Sequence, residues 1–377
     1  MSFFSALLDL AAAPLKLRRR HQPRKSPRDP RILVIRRNRM GDMIYTLPLL
    51  HALRRLFPQA HISVACDPLG EPIALACPAV NDVIALVPGW NPWQAAFKNA
   101  TYLQDYDWVI AAKGGFDRRL AFLTRLTNAA VRIGFEREAN RPSAYYTEPV
   151  SLPPEPQEEH QIDTLLRLLR HVGLINPREI TGDNLSLRLP DSAREFAMEI
   201  LSKPPFWPGQ PFALINLSST VPLKFREEDF IELAKRLLSL TSFAIGLVAA
   251  PANQQQAREI ALCMGSKRIV AISTPGPLDL AAMLERAAFL VTPEGGAAHL
   301  AAAMNRPALV LWSEGPFKKW HSRSRKHRFV HAEPSETVIP VERVWDALQP
   351  FLTAKQDSVE QNWEELLRMP SESDFME

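Results

Sequence analysis

The stretch from 31 to 56 constrains this chain most. Ile32-Leu33-Val34-Ile35 is an apolar, largely β-branched run flanked by charge, long enough for one buried parallel strand. It ends in Arg36-Arg37-Asn38-Arg39-Met40-Gly41-Asp42. Beyond that, Ile44, Leu47, Leu50, Ala52, Leu53 and Leu56 recur at helical spacing, and Pro48 sits in the first turns, where a missing N–H costs little. The pattern predicts a strand, a basic glycine-broken loop and one helix beginning near Met43. In open α/β sheets such loops lie at the carboxyl ends of strands, where ligands bind. Among three arginines this loop offers a single acid, Asp42. Two readings of Asp42 stand: a base facing an anionic substrate, or a cap on the helix that follows.

The strand-then-helix pattern repeats along the chain. Strands are predicted at 62–65, 83–86, 108–112 and 131–134, and helices at 120–126 and 162–172. Residues 151–159 are rich in proline and acid and read as a surface loop. The densest cluster of breakers, 204–211, precedes a second alternation. Its strands are 212–216, 243–248, 268–272, 289–292 and 308–312, and its helices are 192–201, 229–240, 254–263, 278–287 and 297–304. A chain of 377 residues is too long for one ordinary core. The expectation is therefore an α/β protein of two doubly wound parallel sheets in tandem, facing a cleft, with the boundary within 175–205.

Charge narrows the partners. Residues 1–30 hold seven Lys/Arg against Asp9 and Asp29, a formal +5, so a net charge of +4 leaves the remaining chain at about −1. A nucleic-acid-binding body spreads its basic charge over a folded face, and no such spread is present, so no nucleic acid is expected. The apolar segment 2–15 precedes the basic run, the reverse of a secretory signal. It reads either as an arm resting on the anionic cytoplasmic surface of a membrane or as a loose extension. No apolar stretch reaches the ~20 residues of a membrane span. Cys66, Cys77 and Cys263 are odd in number and lack metal-ligand spacing, so they read as buried thiols of a reducing compartment.

Three stretches of the second half carry chemistry. In Thr292-Pro293-Glu294-Gly295-Gly296-Ala297-Ala298-His299, two glycines let the backbone approach a ligand, and the following helix aims free N–H groups at it. A diphosphate can be held this way without a metal. Glu294 and His299 flank the turn as acceptor and donor; His299 also fits a histidine simply packed on an alanine-rich helix. In Ser218-Ser219-Thr220-Val221-Pro222-Leu223-Lys224, hydroxyls and one lysine suit phosphate oxygens, or the loop merely caps the next helix. Ala249-Ala250-Pro251-Ala252-Asn253-Gln254-Gln255 follows its strand with amides able to reach a ribose or base, or is an ordinary strand end. No G-x-G-x-x-G follows a strand, and no P-loop or G-x-S-x-G elbow is present. Asp105-Tyr106-Asp107 has the spacing of paired carboxylates but precedes a strand, and reads as a solvated turn. No metal is expected.

Taken together, Arg39-Met40-Gly41-Asp42 with Thr46-Leu47-Pro48-Leu49-Leu50, the 292–299 run, Leu300-Ala301-Ala302-Ala303 and Arg306-Pro307 resemble the heptosyltransferases of lipopolysaccharide core assembly, glycosyltransferase family nine. The resemblance spans 31–350. It implies a GT-B fold of two Rossmann-like domains, an acceptor-binding one at 31–180 and a nucleotide-sugar-binding one at 181–352. These leave an extension at 1–30 and a tail with a short helix at 353–377. It further implies inverting, metal-independent transfer of a heptose from an ADP-sugar, used as substrate rather than cofactor, to an anionic lipopolysaccharide core. The family's general base falls on Asp42. Its phosphate-binding residues fall on Ser218, Thr220 and Lys224, and its late donor motif on Glu294, Gly295, Gly296 and His299, with Asn253 at the ribose.

Arg36, Arg37, Arg39, Lys113, Arg118 and Arg119 fit an acceptor bearing carboxylates or phosphates, or are ordinary surface charge, the reading that suits Arg118 and Arg119 better. Peripheral contact with the cytoplasmic face of the inner membrane would follow. The chain departs from the family pattern at Glu294, where Asp is usual, at Gly295, where a hydroxyl residue is usual, and at Ala249-Ala250 and Asn253. A nucleotide-sugar epimerase or hydrolase on the same fold, or a non-catalytic nucleotide- or lipid-binding scaffold, are the alternatives.

Overall fold

The computed structural model describes residues 29–37, 39–87, 92–136, 145–173, 184–207, 210–219 and 221–353. The basic arm before residue 29, the tail beyond 353 and Thr220 lie outside the described residues. The chain divides into two compact units. The first runs to Arg188 and takes in Pro316–His321; the second comprises Leu189–Gly315 and the chain from Ser322 onward. The division after Arg188 lies within 175–205, and the short segment Pro316–His321 belongs to the first unit.

The first unit is a six-stranded parallel sheet of β1 (Arg31–Arg36), β2 (His61–Cys66), β3 (Asp82–Ala85), β4 (Trp108–Ala111), β5 (Val131–Glu136) and β6 (Glu148–Ser151), ordered β3-β2-β1-β4-β5-β6. β1 has a neighbour on each side, pairing Val34 with Val64 and with Ile110. That central place is why its sequence is a continuous apolar run rather than an alternating one. Parallel neighbours require crossovers, supplied by α1 (Met40–Ile44), α2 (Leu47–Leu56), α3 (Glu71–Leu75), α4 (Pro92–Ala100) and α5 (Arg118–Leu126), with α6 (Gln161–His171) following β6. The single helix expected after Gly41-Asp42 is in fact two. Tyr45 ends α1, and Pro48 opens α2 at a position that needs no N–H. The break lets Tyr45 turn inward.

Asp107 corrects a second expectation. It is buried, and its carboxylate accepts the N–H of Arg31 at 2.9 Å, which clamps the start of β1 rather than sitting in a solvated turn. Strand β6, which begins before the proline-rich loop, was not evident in the sequence.

The second unit repeats the architecture. It contains α7 (Asp191–Leu201), β7 (Phe212–Asn216), α8 (Glu227–Leu240), β8 (Ala244–Val248), α9 (Gln254–Met264), β9 (Ile269–Ile272), α10 (Pro277–Arg286), β10 (Phe289–Pro293), α11 (Gly296–Ala303) and β11 (Ala308–Trp312). The one-turn helix α12 (Phe317–Trp320) belongs to the first unit; β12 (His327–His331) and α13 (Val341–Thr353) complete the second. The order β12-β11-β10-β7-β8-β9 has the same reversal as the first sheet, with the chain doubling back between β7 and β10 as it does between β1 and β4.

Phe225, Phe230, Leu233 and Leu237 from α8 and its approach pack on Ile215, Ile245 and Leu247 of the sheet. Cys66 and Cys77 are buried, which pushes their thiols up to about 12 and about 11; Cys263, expected to be buried, is exposed on α9. Among the described residues no helix is long and apolar enough to cross a membrane.

Candidate functional site

In each unit the carboxyl ends of the two central strands are bridged by a buried polar side chain. In the first unit it is Arg36, the last residue of β1, only 2% exposed. Its guanidinium donates through Nη1 to Ala112 O, just past β4, and through Nη2 to Asp42 Oδ1. Burial lowers the arginine's pKa while the Asp42 carboxylate works against that fall. Arg36 is therefore no free cation for an acceptor, as the sequence reading had it. Its charge is committed to Asp42.

Asp42 is the third residue of α1, and its Oδ2 accepts the N–H of Arg39 at 3.3 Å, so it does cap the helix. The same carboxylate stays 17% exposed beside the loop, so capping and outward presentation coexist. Arg39 is exposed at the mouth of this turn. Lys113, after β4, is half-buried and pairs with Asp117 at 2.5 Å; Asp117 in turn caps α5 through the N–H groups of Arg119 and Leu120. Arg118 and Arg119 thus open a helix, and Arg119 is exposed. Gly114 lies against a side chain that a larger residue would displace. A Cβ there would lie 2.5 Å from the side-chain amide of the buried Gln161 at the start of α6.

In the second unit the bridging residue is Asn216, the last of β7. Its amide donates to Thr292 Oγ1 on β10 and to Ser218 O, both at 3.0 Å. Ser218 Oγ donates to Asn253 Oδ1 at 3.3 Å and accepts the N–H of Ala250 at 2.7 Å. Three strand ends are thereby tied together. The hydroxyl proton of Ser218 is used inside this network, so its part is to shape the loop, not to be a ready phosphate donor. Asn253 spends its carbonyl in the same way. Lys224 has its backbone fixed at both ends, donating to Ser313 Oγ at 3.0 Å and accepting from Ile339 N at 2.6 Å, which leaves its side chain to carry charge.

Gly295 opens α11 at φ +135°, a conformation closed to residues with a side chain, although a Cβ there would meet nothing within 4 Å. The N–H groups of the first turn that follow it have no intrahelical partner. Glu294 is half-buried, 3.9 Å from where a Cβ on Gly315 would sit, and its carboxyl is pushed up to about 7 by burial and then by Glu314. His299, a turn further on, is buried at 7% exposure, the packed arrangement. Among the described residues no three His, Cys, Asp or Glu side chains gather as metal ligands.

Asn216, Gln161 and Ser313 were missed as site residues, and Thr292 was seen only as the start of the 292–299 run. Asn216 had a signal of its own, a lone amide ending an apolar strand.

The pattern of "Glycosyltransferase family 9 (heptosyltransferase)" matches residues 95–340, well over half of the chain. The chain belongs to this family. It is 25% identical over 315 residues to lipopolysaccharide heptosyltransferase 1 of Pseudomonas aeruginosa, covering 79% of this chain and 83% of that one. Among solved structures it is similar to a glycosyltransferase family 9 protein from Veillonella parvula, with a TM-score of 0.75 and 19% identity over 86% of this chain and 98% of that one. It is also similar to E. coli heptosyltransferase WaaC with ADP, with a TM-score of 0.65 and 21% identity over 85% and 97%.

The fold of this family-9 glycosyltransferase is accordingly GT-B, as its sequence implied. The matched span contains the whole Asn216–Glu294 cluster and Lys113, and begins after Arg36 and Asp42.

Proposed function

We propose that this family-9 glycosyltransferase transfers a heptose from an ADP-activated donor to an anionic lipopolysaccharide core, with inversion and without a metal. The observation that carries the reading is the Asp42 carboxylate, fixed by Arg36 yet partly exposed at the carboxyl end of β1. In the proposed step an acceptor hydroxyl gives its proton to Asp42 as its oxygen bonds to the anomeric carbon. On the opposite face the bond from that carbon to the diphosphate breaks, and its electron pair leaves on ADP. A carboxylate is a weak base, so the proton transfer falls late, once the forming bond has made the hydroxyl acidic.

Charge developing on the leaving diphosphate would be met by the open N–H groups of α11 behind Gly295 and by Lys224. Those groups stand in for the metal that other transferases use. Arg39, exposed at the mouth of the turn, supplies positive charge for an anionic acceptor, with Lys113 joining it where the acceptor competes with Asp117. The relatives' names support the sugar and the acceptor, and the E. coli structure with ADP supports the nucleotide. The basic run within 1–30 supports peripheral contact with the anionic inner leaflet, where such an acceptor is presented.

The test is mass-spectrometric transfer with purified protein, ADP- and UDP-sugars and core-truncated lipopolysaccharide, in EDTA and with Asp42→Ala alongside. A gain of one heptose from the ADP donor alone, kept in EDTA and lost in the variant, is expected. Transfer by Asp42→Ala at the wild-type rate rejects the base; transfer from another donor rejects the sugar assignment.

A further inference from the structure

We infer that Arg36 is the positioning residue of the proposed reaction: its fork anchors one oxygen of Asp42 and leaves the other to receive the acceptor's proton. The inference rests on Asp42 being the base. Arg36 Nη2 holds Asp42 Oδ1, while Oδ2 carries only the longer 3.3 Å bond from the N–H of Arg39. A charge-assisted bond to a buried guanidinium is the stronger of the two, so Oδ1 is committed and Oδ2 keeps acceptor capacity. The choice between two chemically equal oxygens is thereby made before substrate arrives.

The second arm of the fork explains why the residue is arginine. Nη1 donates to Ala112 O, the carbonyl directly before Lys113 and Gly114. One rigid plane therefore sets the base and the start of the Lys113 loop in a fixed relation, which a lysine, with one mobile point charge, would not do. Arg36 Nε is buried with no hydrogen-bond partner, so the two Nη contacts carry all the compensation this cation receives.

The experiment compares Arg36→Met, Arg36→Gln and Arg36→Lys with wild type and Asp42→Asn, using ADP-heptose and core-truncated lipopolysaccharide. It reads kcat, KM, ADP affinity and melting temperature. Arg36→Met is expected to lower kcat about a hundredfold or more, with ADP affinity within about twofold of wild type, and Arg36→Lys to recover about tenfold. The acceptor KM is expected to stay within about threefold of wild type in Arg36→Met, so that the loss falls on kcat. A purely structural role would lower the melting temperature without a loss confined to kcat and without recovery in Arg36→Lys.

Should the methionine variant fail to fold, Arg36→Gln, which still offers Ala112 a donor, carries the same comparison. A kcat within threefold of wild type, or no recovery by Arg36→Lys in a folded variant, overturns the inference. Activity in Asp42→Asn would instead defeat the base on which it rests; an inactive Asp42→Asn beside an active Arg36→Met defeats the inference alone.

Discussion

The side-chain amide of Asn216 donates to Thr292 Oγ1 at 3.0 Å across 76 positions of sequence, the same separation at which Arg36 reaches Ala112 O. Each bond joins the last residue of the first strand in its sheet to the end of the fourth, at the point where strand order reverses. Loops there diverge to opposite sides, and a polar bridge holds the mouth between them at fixed width.

Breaking the second bridge is expected to cost stability. Asn216→Ala strips partners from the backbone of Ser218 as well as from Thr292, so a loss of about 1–3 kcal/mol in denaturant unfolding is expected. Thr292→Val leaves the bond to Ser218 in place and is expected to cost less. Equal stability of Asn216→Ala and wild type would show that the network is not holding the loops.

Glu294 makes stability depend on pH. Its carboxyl titrates near 7 in the fold against 4.5 ordinarily, so between those values the folded chain keeps a proton that the unfolded chain has lost. Stability from this group is full below about 4.5 and falls as pH rises through 7. Glu294→Gln is expected to flatten that part of the melting-temperature profile. ADP affinity should likewise fall above pH 7 in wild type, as the carboxylate ionises beside the phosphates, and stay level in the variant. Parallel profiles for the two proteins would reject the assignment.

Lys224→Met tests the leaving-group charge. The backbone bonds to Ser313 and Ile339 do not involve the side chain, so the fold is expected to keep its melting temperature. ADP binding by calorimetry is expected to weaken about tenfold, the ~1.4 kcal/mol of one charge-assisted contact to phosphate. Unchanged affinity would remove Lys224 from the donor site.

The glycine pair after β4 separates packing from freedom. Gly114→Ala forces the buried Gln161 amide aside and is expected to destabilise by about 1–3 kcal/mol, whereas Gly115→Ala meets nothing within 4 Å and is expected to stay within ~0.5 kcal/mol. Chemical denaturation of both variants gives the answer. Equal effects would place Gln161 elsewhere.

How far the sequence could be read follows from where each residue sits. Central strands such as β1, β7 and β11 are buried on both faces, and their apolar runs announced them. The edge strands β6 and β12 were not found: β6 carries Pro149 and one buried residue, Val150, and β12 has only Phe329 and Val330 as apolar residues among His327, Arg328 and His331, because an edge needs only one apolar side. The break between α1 and α2 was hidden because Pro48 suits the first turn of either a late helix or a second one. At the site, Asp42, Lys224 and the Gly295-Gly296 turn carry local signals. The burial of Arg36 does not: its partner Ala112 lies a full half-sheet away in sequence, and a surface arginine and a buried one are spelled alike. The same applies to Ser218, which offers a hydroxyl in sequence but spends it on Asn253 in space.

The six residues Pro316–His321 leave the second unit and return to it after packing in the first, where Tyr45 OH donates to the carbonyls of Trp320 and His321, and His160 Nε2 donates to that of His321. The chain therefore passes from one unit to the other after Arg188, after Gly315 and again after His321. A gene cut at 188 would not yield an independent first half. The fragment would expose Tyr45 and strip His160 of its acceptor, so shuffling of halves among relatives must carry this short strap along with the residues that receive it.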